Sequence, residues 1–301
     1  MSTALVFAGQ GSQREGMAGP WREHPSFARW QEADDLLGRD VTALGTSASA
    51  ATLREPANCQ IALFVHGVVV LEAWQAAGGQ APLATAGHSL GEYNALVAGG
   101  VLTFGEALTL VDVRARATEA AAAARPGGML ACLGFEPETV TDACAAAGAY
   151  VANDNAPGQV VCAGSAAALS RLNGILEEAG RGKIVPLEVG AAYHSPHVAD
   201  AVDTLGAALD AAQFNDAVAP VVANVDARAH TAASSFPDLL RAQVTAPVRW
   251  RESVATLVEL GVTRTVELGA SPVVSGLIKR TDRSLSRAAV STPAELEEAL
   301  A

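Results

Sequence analysis

Gly87-His88-Ser89-Leu90-Gly91-Glu92 stands between a short run of small residues, Leu83-Ala84-Thr85-Ala86, and a helix-forming run, Tyr93-Asn94-Ala95-Leu96-Val97-Ala98. A serine held between two glycines where a strand gives way to a helix has the pattern of a nucleophile elbow. The glycines answer a steric need, because the turn is sharp and neighbouring backbone passes too close for a Cβ. In such a turn the serine hydroxyl projects outward, and the N–H of the next residue points to where an oxyanion would form. The same short pattern also arises in ordinary loops, so its meaning depends on the rest of the chain.

Upstream, Ala4-Leu5-Val6-Phe7-Ala8 reads as a buried strand running into a glycine turn, Gly9-Gln10-Gly11-Ser12-Gln13. Residues 61–75 have helical length and periodicity and stop at Gly78-Gly79. Downstream, residues 104–124 carry Ala107, Leu108, Val111 and Ala115 at helical spacing. Strands alternating with helices predict a mostly parallel sheet with helices on both faces. The texture changes at Arg125-Pro126-Gly127-Gly128. Beyond it, 129–134, 150–153, 160–164 and 183–189 read as strands, and 137–147 and 166–180 as helices. That β-α-β-β-α-β order is the split unit of a ferredoxin-like domain. Alternation then resumes, with 262–268 a strand. The expected fold class is α/β: a large discontinuous domain (1–125 and 193–301) with a small ferredoxin-like domain (126–192) inserted into it.

A chain of 301 residues supports a large core and a second small domain. With 50% hydrophobic and 17% charged residues, it belongs with compact globular proteins and not with disordered ones. A net charge of −12 argues against nucleic acid, whose phosphates need a basic surface, and against an anionic membrane face. It does not exclude an acidic protein partner, because a local basic patch can sit on an acidic molecule. Cys59, Cys132, Cys144 and Cys162 lie among apolar residues without C-x-x-C spacing. They read as buried free thiols, not as a disulfide framework or a zinc knuckle. The run Met1–Phe7 lacks the features of a signal peptide. The apolar stretch 61–71 contains His66 and is short of a membrane span. The expectation is a soluble, cytoplasmic protein.

A serine nucleophile needs a base in hydrogen-bond reach and donors for the oxyanion. Of the 6 histidines, His24, His66 and His230 fall in segments that read as surface or helix and take structural roles. His88 lies inside the elbow, where packing or a hydrogen bond accounts for it. His194 and His197 remain, in Gly190-Ala191-Ala192-Tyr193-His194-Ser195-Pro196-His197, a loop that leaves a strand and stops at a proline turn. A metal site on this pair lacks a carboxylate or cysteine at ligand spacing.

Phe7-Ala8-Gly9-Gln10-Gly11-Ser12-Gln13, residues 87–96, Val113-Arg114, Asn155-Ala156-Pro157-Gly158-Gln159 and Ala192-Tyr193-His194-Ser195-Pro196 stand in this order. Together they resemble malonyl-CoA:acyl-carrier-protein transacylases and the acyltransferases of polyketide synthases, including free-standing ones that act in trans. The resemblance runs over residues 6–280 and implies an α/β-hydrolase-like large domain with a ferredoxin-like insert. It implies Ser89 as nucleophile, His194 as general base, and the backbone N–H groups of Gln10 and Leu90 as oxyanion hole. It makes Arg114 the binder of the extender unit's free carboxylate, and gives the backbone carbonyl of Gln243 the task of orienting His194. A planar guanidinium suits a carboxylate in a dry pocket. Taken alone, Arg114 beside Arg116 reads as an exposed helix charge. Asp200 and Asp203, on a solvated helix face, receive no role. Gln60, ahead of the 61–75 helix, His88 and Tyr193 are pocket candidates. The implied activity is ping-pong transfer of a malonyl-type unit from an acyl-CoA to the phosphopantetheine thiol of an acyl carrier protein, with no metal or redox cofactor.

Leu90 after the nucleophile resembles malonyl-selective members. Tyr193 stands where malonyl-type polyketide acyltransferases usually show Phe. Its ring crowds a branched α-carbon and its hydroxyl needs a partner if buried, which leaves a larger unit such as ethylmalonyl open. Ala8 and Gly269-Ala270-Ser271-Pro272 depart from the family's usual Pro and Gly-Pro-Gly, and favour a biosynthetic-pathway enzyme over a housekeeping one. Three alternatives stand beside this reading. A thioester hydrolase editing stalled carriers would have little use for Arg114. The malonyl-transfer subunit of malonate decarboxylase would look the same at these positions. A non-catalytic carrier-docking protein would need none of them. Lys279, Arg280, Arg283 and Arg287, with Arg249 and Arg251, are candidates for docking an acidic carrier, and fit a solvated helix face equally well.

Overall fold

The chain opens with β1 (Thr3–Phe7) and continues through α1 (Ala28–Leu37), α2 (Thr42–Thr46), α3 (Ala50–Arg54), α4 (Pro56–Ala76), β2 (Ala84–Gly87), α5 (Gly91–Ala98) and α6 (Phe104–Ala124). The computed structural model describes residues 2–180 and 182–301. Next come β3 (Gly128–Leu133), α7 (Pro137–Ala147), β4 (Tyr150–Ala156), β5 (Gln159–Gly164), α8 (Ala166–Ala179) and β6 (Lys183–Pro186). The remainder holds α9 (Ala201–Ala211), β7 (Val221–Val222), β8 (Ala229–His230), α10 (Phe236–Gln243), α11 (Trp250–Glu259), β9 (Arg264–Leu268), α12 (Val274–Thr281), β10 (Ser286–Val290) and α13 (Pro293–Leu300).

The larger sheet has the order β10-β9-β1-β2-β7-β8. All of its pairings are parallel except β7 with β8. Every residue of β1 and β2 is buried, as expected of central parallel strands covered on both faces. α4 supplies much of that cover. From Cys59 to Leu71 each of its residues is buried, so it is a helix apolar all round because protein surrounds it. By length and composition it could cross a membrane, yet 83% of its most apolar window is buried inside the protein. The helix begins at Pro56 and not at 61, because residues 56–60 carry no apolar period for a sequence reading to find. Pro56 starts it instead, its fixed φ already helical and its missing N–H not needed there. That extra turn puts Gln60 inside the helix and buries it. α6 starts on a capping box, Thr103 with Glu106, and buries one face from Phe104 to Ala121.

The smaller sheet, β4-β5-β3-β6, is antiparallel throughout. With α7 and α8 it has the strand order of a ferredoxin-like unit. Alternation divides its side chains. Leu130, Cys132, Val160 and Cys162 face α7 and α8. Met129, Ala131, Val161 and Ala163 face the other way, onto Ala192 and Tyr193. The insert therefore backs the loop that carries His194. β6 ends at Pro186, short of the expected 189, and leaves 187–192 as the connecting loop. Val248 joins the two sheets: Asp154 N–H donates to its carbonyl at 2.9 Å, and its own N–H donates to the Ala152 carbonyl at 2.9 Å. Arg251 adds an ion pair to Asp154 at 2.7 Å. All four cysteines are free and buried.

Candidate active site

Ser89 sits on the turn between β2 and α5 with φ 53°, a left-handed conformation that a non-glycine residue holds only under constraint. Two glycines supply the room. A Cβ on Gly87 would stand 1.9 Å from the Gly91 carbonyl oxygen, and one on Gly91 would stand 2.3 Å from that of Phe7. Asn224 pins the turn from outside. Its Oδ1 accepts from Ser89 N–H at 2.7 Å, and its Nδ2 donates to the Gly87 carbonyl at 2.6 Å.

Ser89 Oγ lies 2.7 Å from His194 Nε2. The opposite ring nitrogen, Nδ1, donates to the Gln243 carbonyl at 2.9 Å and is 3.2 Å from that of Ala246. Those carbonyls only accept, so they fix the tautomer that leaves Nε2 free to take the serine proton. No carboxylate takes part. His194 is buried and also has positive φ, 54°. Burial above all, then the charge of Arg114 and the neighbouring His88, pushes its pKa down to about 3.

Arg114 projects from α6 into the same place and is 6% exposed, unlike its neighbour Arg116, which pairs at the surface with Asp112 at 3.0 Å. The exposed-helix reading of Arg114 is thereby overturned. Its Nη1 donates to Gln60 Oε1, and its Nη2 reaches Ser89 Oγ at 3.1 Å and Gln243 Oε1 at 3.2 Å. Its Nε is buried without a partner. No carboxylate lies within ion-pair distance of this cation among the described residues. Unpaired buried charge is costly, and such a group is an anion site in waiting.

These groups open onto a cleft between the two sheets whose lining includes Gln10, Gln60, Ser89, Arg114, Tyr193 and His194. The N–H groups of Gln10 and Leu90, which also line it, meet no acceptor among the described residues. Tyr193 Oη is buried without a partner, and burial raises its pKa to about 12. His88 lines the cleft as well, its Nε2 2.7 Å from Asn155 Oδ1 and its ring 5.6 Å from that of Trp250.

His197 does not join His194; its ring meets Tyr150 edge-on at 6.2 Å. Among the described residues no group of three metal-ligating side chains gathers. Lys279, Arg280 and Arg283 are exposed on α12 and the turn after it, outside the cleft, with Arg280 donating to Gln159 Oε1 at 2.6 Å. Arg249 and Arg251 leave the basic cluster, because Glu252 and Asp154 pair with them. Sequence reasoning missed Glu92, Asn224 and the side chain of Gln243. Glu92, in the first turn after the serine, was the one with a visible signal: a carboxylate where the helix must be buried.

Fold and site together define a class, the acyl transferases that work through a serine. The acyl transferase domain model matches residues 4–296. The malonyl CoA-acyl carrier protein transacylase of Salmonella typhimurium is 37% identical over 99% of this chain and 98% of its own length. That of Bacillus subtilis is 38% identical over 99% and 96%. Among solved structures, a malonyl-transacylase in complex with a type II PKS acyl-carrier protein superposes with TM-score 0.96 at 36% identity, covering 100% of this chain and 99% of that one. The acyl-carrier-protein S-malonyltransferase of Burkholderia pseudomallei gives 0.96 at 39%, covering 100% and 99%. The chain belongs to the acyl transferase family, in its malonyl-CoA:acyl-carrier-protein transacylase branch.

Proposed function

We propose that the protein carries a malonyl unit from CoA to the phosphopantetheine thiol of an acyl carrier protein by way of malonyl-Ser89. The observation that carries the reading is the place of Ser89 Oγ, 2.7 Å from a buried imidazole and 3.1 Å from a buried guanidinium that has no counter-ion among the described residues. Ser89 attacks the thioester carbonyl and passes its proton to His194 Nε2, while the N–H groups of Gln10 and Leu90 receive the oxyanion. His194 returns the proton to the departing CoA sulfur. Arg114 holds the malonyl carboxylate, with its unpartnered Nε–H as a ready donor. The carrier thiol then gives its proton to His194, attacks the acyl-serine carbonyl, and leaves with the malonyl group as Ser89 Oγ recovers its proton.

Serine, imidazole and two N–H groups supply all this chemistry, and it draws on no metal or redox cofactor. The buried cation sets the reading apart from a thioester hydrolase, and the aligned Ser89–His194 pair from a docking protein. Leu90 and the ring of Tyr193 favour an unbranched malonyl unit. Lys279, Arg280 and Arg283 offer the acidic carrier a landing surface, and we place the protein in the cytoplasm with its CoA and carrier substrates. Intact-protein mass spectrometry after separate brief incubations with malonyl-, methylmalonyl-, ethylmalonyl- and acetyl-CoA tests the reading. A malonyl adduct absent from Ser89→Ala is the expected result. Preferential acetyl labelling, or no adduct from any carboxylated donor, overturns it.

A further inference from the structure

Two buried opposite charges lie close to the nucleophile without touching. Arg114 has no carboxylate in ion-pair distance among the described residues, and Glu92, 1% exposed, has no cation there. Glu92 Oε2 accepts from Gln243 Nε2 at 2.8 Å and from Asn224 N–H at 3.1 Å. Gln243 Oε1 accepts from Arg114 Nη2 at 3.2 Å, and its Nε2 also donates to the Ser89 carbonyl at 3.0 Å. One amide thus bridges acid and base, and its orientation is forced: a guanidinium can only donate and a carboxylate only accept. Burial raises the Glu92 pKa to about 7, with the Gln243 and Asn224 hydrogen bonds and the charge of Arg114 working to keep it ionised.

The bridge solves a conflict. A guanidinium paired directly with Glu92 would be satisfied already, and a bound malonyl carboxylate would then share one cation with a second anion. A bare guanidinium would bear its full desolvation cost. Placed one amide away, Glu92 offsets part of that cost and polarises Gln243, while the Nε–H of Arg114 stays available to a ligand. We propose that Glu92 is a positioning residue for carboxylated acyl groups, acting through Gln243 to hold Arg114 ready for the acyl carboxylate. The inference rests on the reading of Arg114 as that carboxylate's binder.

The test compares kcat/KM for acyl loading from malonyl-CoA and from acetyl-CoA in wild type, Glu92→Gln, Gln243→Met and Arg114→Ala. Glu92→Gln keeps the shape and removes the charge, and is expected to lower the malonyl-to-acetyl ratio about tenfold, mainly through the KM for malonyl-CoA. Gln243→Met cuts the bridge with Glu92 intact, lowers the ratio likewise, and decides the matter if Glu92→Gln does not fold. A Glu92→Gln protein that slows both donors by one factor, or neither, overturns the proposal, since a merely structural role spares the ratio. If Arg114→Ala itself leaves the ratio unchanged, the carboxylate reading is what has failed, and the two failures are told apart.

Discussion

His194 works against backbone carbonyls where many serine enzymes use an acid, and this shapes its titration. In the proposed mechanism the neutral imidazole is the base, and an environment that disfavours the imidazolium keeps that form populated as pH falls. With its pKa pushed from 6.5 down to about 3, the acylation rate should show no His194 acid limb near 6.5. Burst kinetics with malonyl-CoA across pH measure this. A limb near 7 that disappears in Glu92→Gln belongs to Glu92, which faces Arg114, Gln243 and Asn224 and feels Asp226. A limb near 6.5 that survives in that variant contradicts the burial argument. Ser89 was readable in the sequence from its motif, while His194 stood beside His197 as a candidate until the resemblance chose between them. Arg114 was readable only through resemblance, since an arginine on a helix looks the same whether its face meets water or core. Asn224 and the Gln243 side chain reach the serine from 135 and 154 residues away, and no local pattern encodes such a meeting.

At the scale of elements, the elbow shows what its glycines are for. The Cβ of Gly91→Ala would press on the Phe7 carbonyl oxygen at 2.3 Å, backbone against backbone, so neither partner can yield cheaply. We expect this change to cost more than about 3 kcal/mol or to prevent folding. Gly174, inside α8, has nothing within 4 Å of its would-be Cβ, and Gly174→Ala should stabilise by about 0.5–1 kcal/mol. Thermal unfolding of both variants checks the pair; equal effects would refute the steric account. Periodicity revealed α6, whose stripe of Ala107, Leu108, Val111 and Ala115 is buried. It missed the start of α4, where Gln60 is buried against Arg114 and not in the apolar core. It also missed β7 and β8, which at 2 residues each are too short to carry a period.

For the whole molecule, a net charge of −12 makes the approach of an acidic carrier unfavourable everywhere except at local positive ground. Lys279, Arg280 and Arg283 are exposed and make no ion pair among the described residues, so their field is not spent internally. Transfer to the carrier should weaken as salt rises, and reversing Arg280 and Arg283 to Glu should cut kcat/KM for the carrier about tenfold at low salt. The loss should fall on the carrier half-reaction more than on the CoA half-reaction, and an unchanged carrier KM rejects the surface.

The sheet order has a bearing on how the protein is made. β1 lies between β2 and β9, with Val6 opposite Glu267, so the strand that leads into Gln10 is synthesised first and completed nearly last. At ordinary translation speeds, its open edge waits on the order of ten seconds or more for its partner to leave the ribosome. A nascent chain that already contains Ser89, Arg114 and His194 still lacks β9, the second partner of β1. Such a chain presents an unpaired edge to its surroundings and calls for chaperoning, while its serine stays idle until the fold closes.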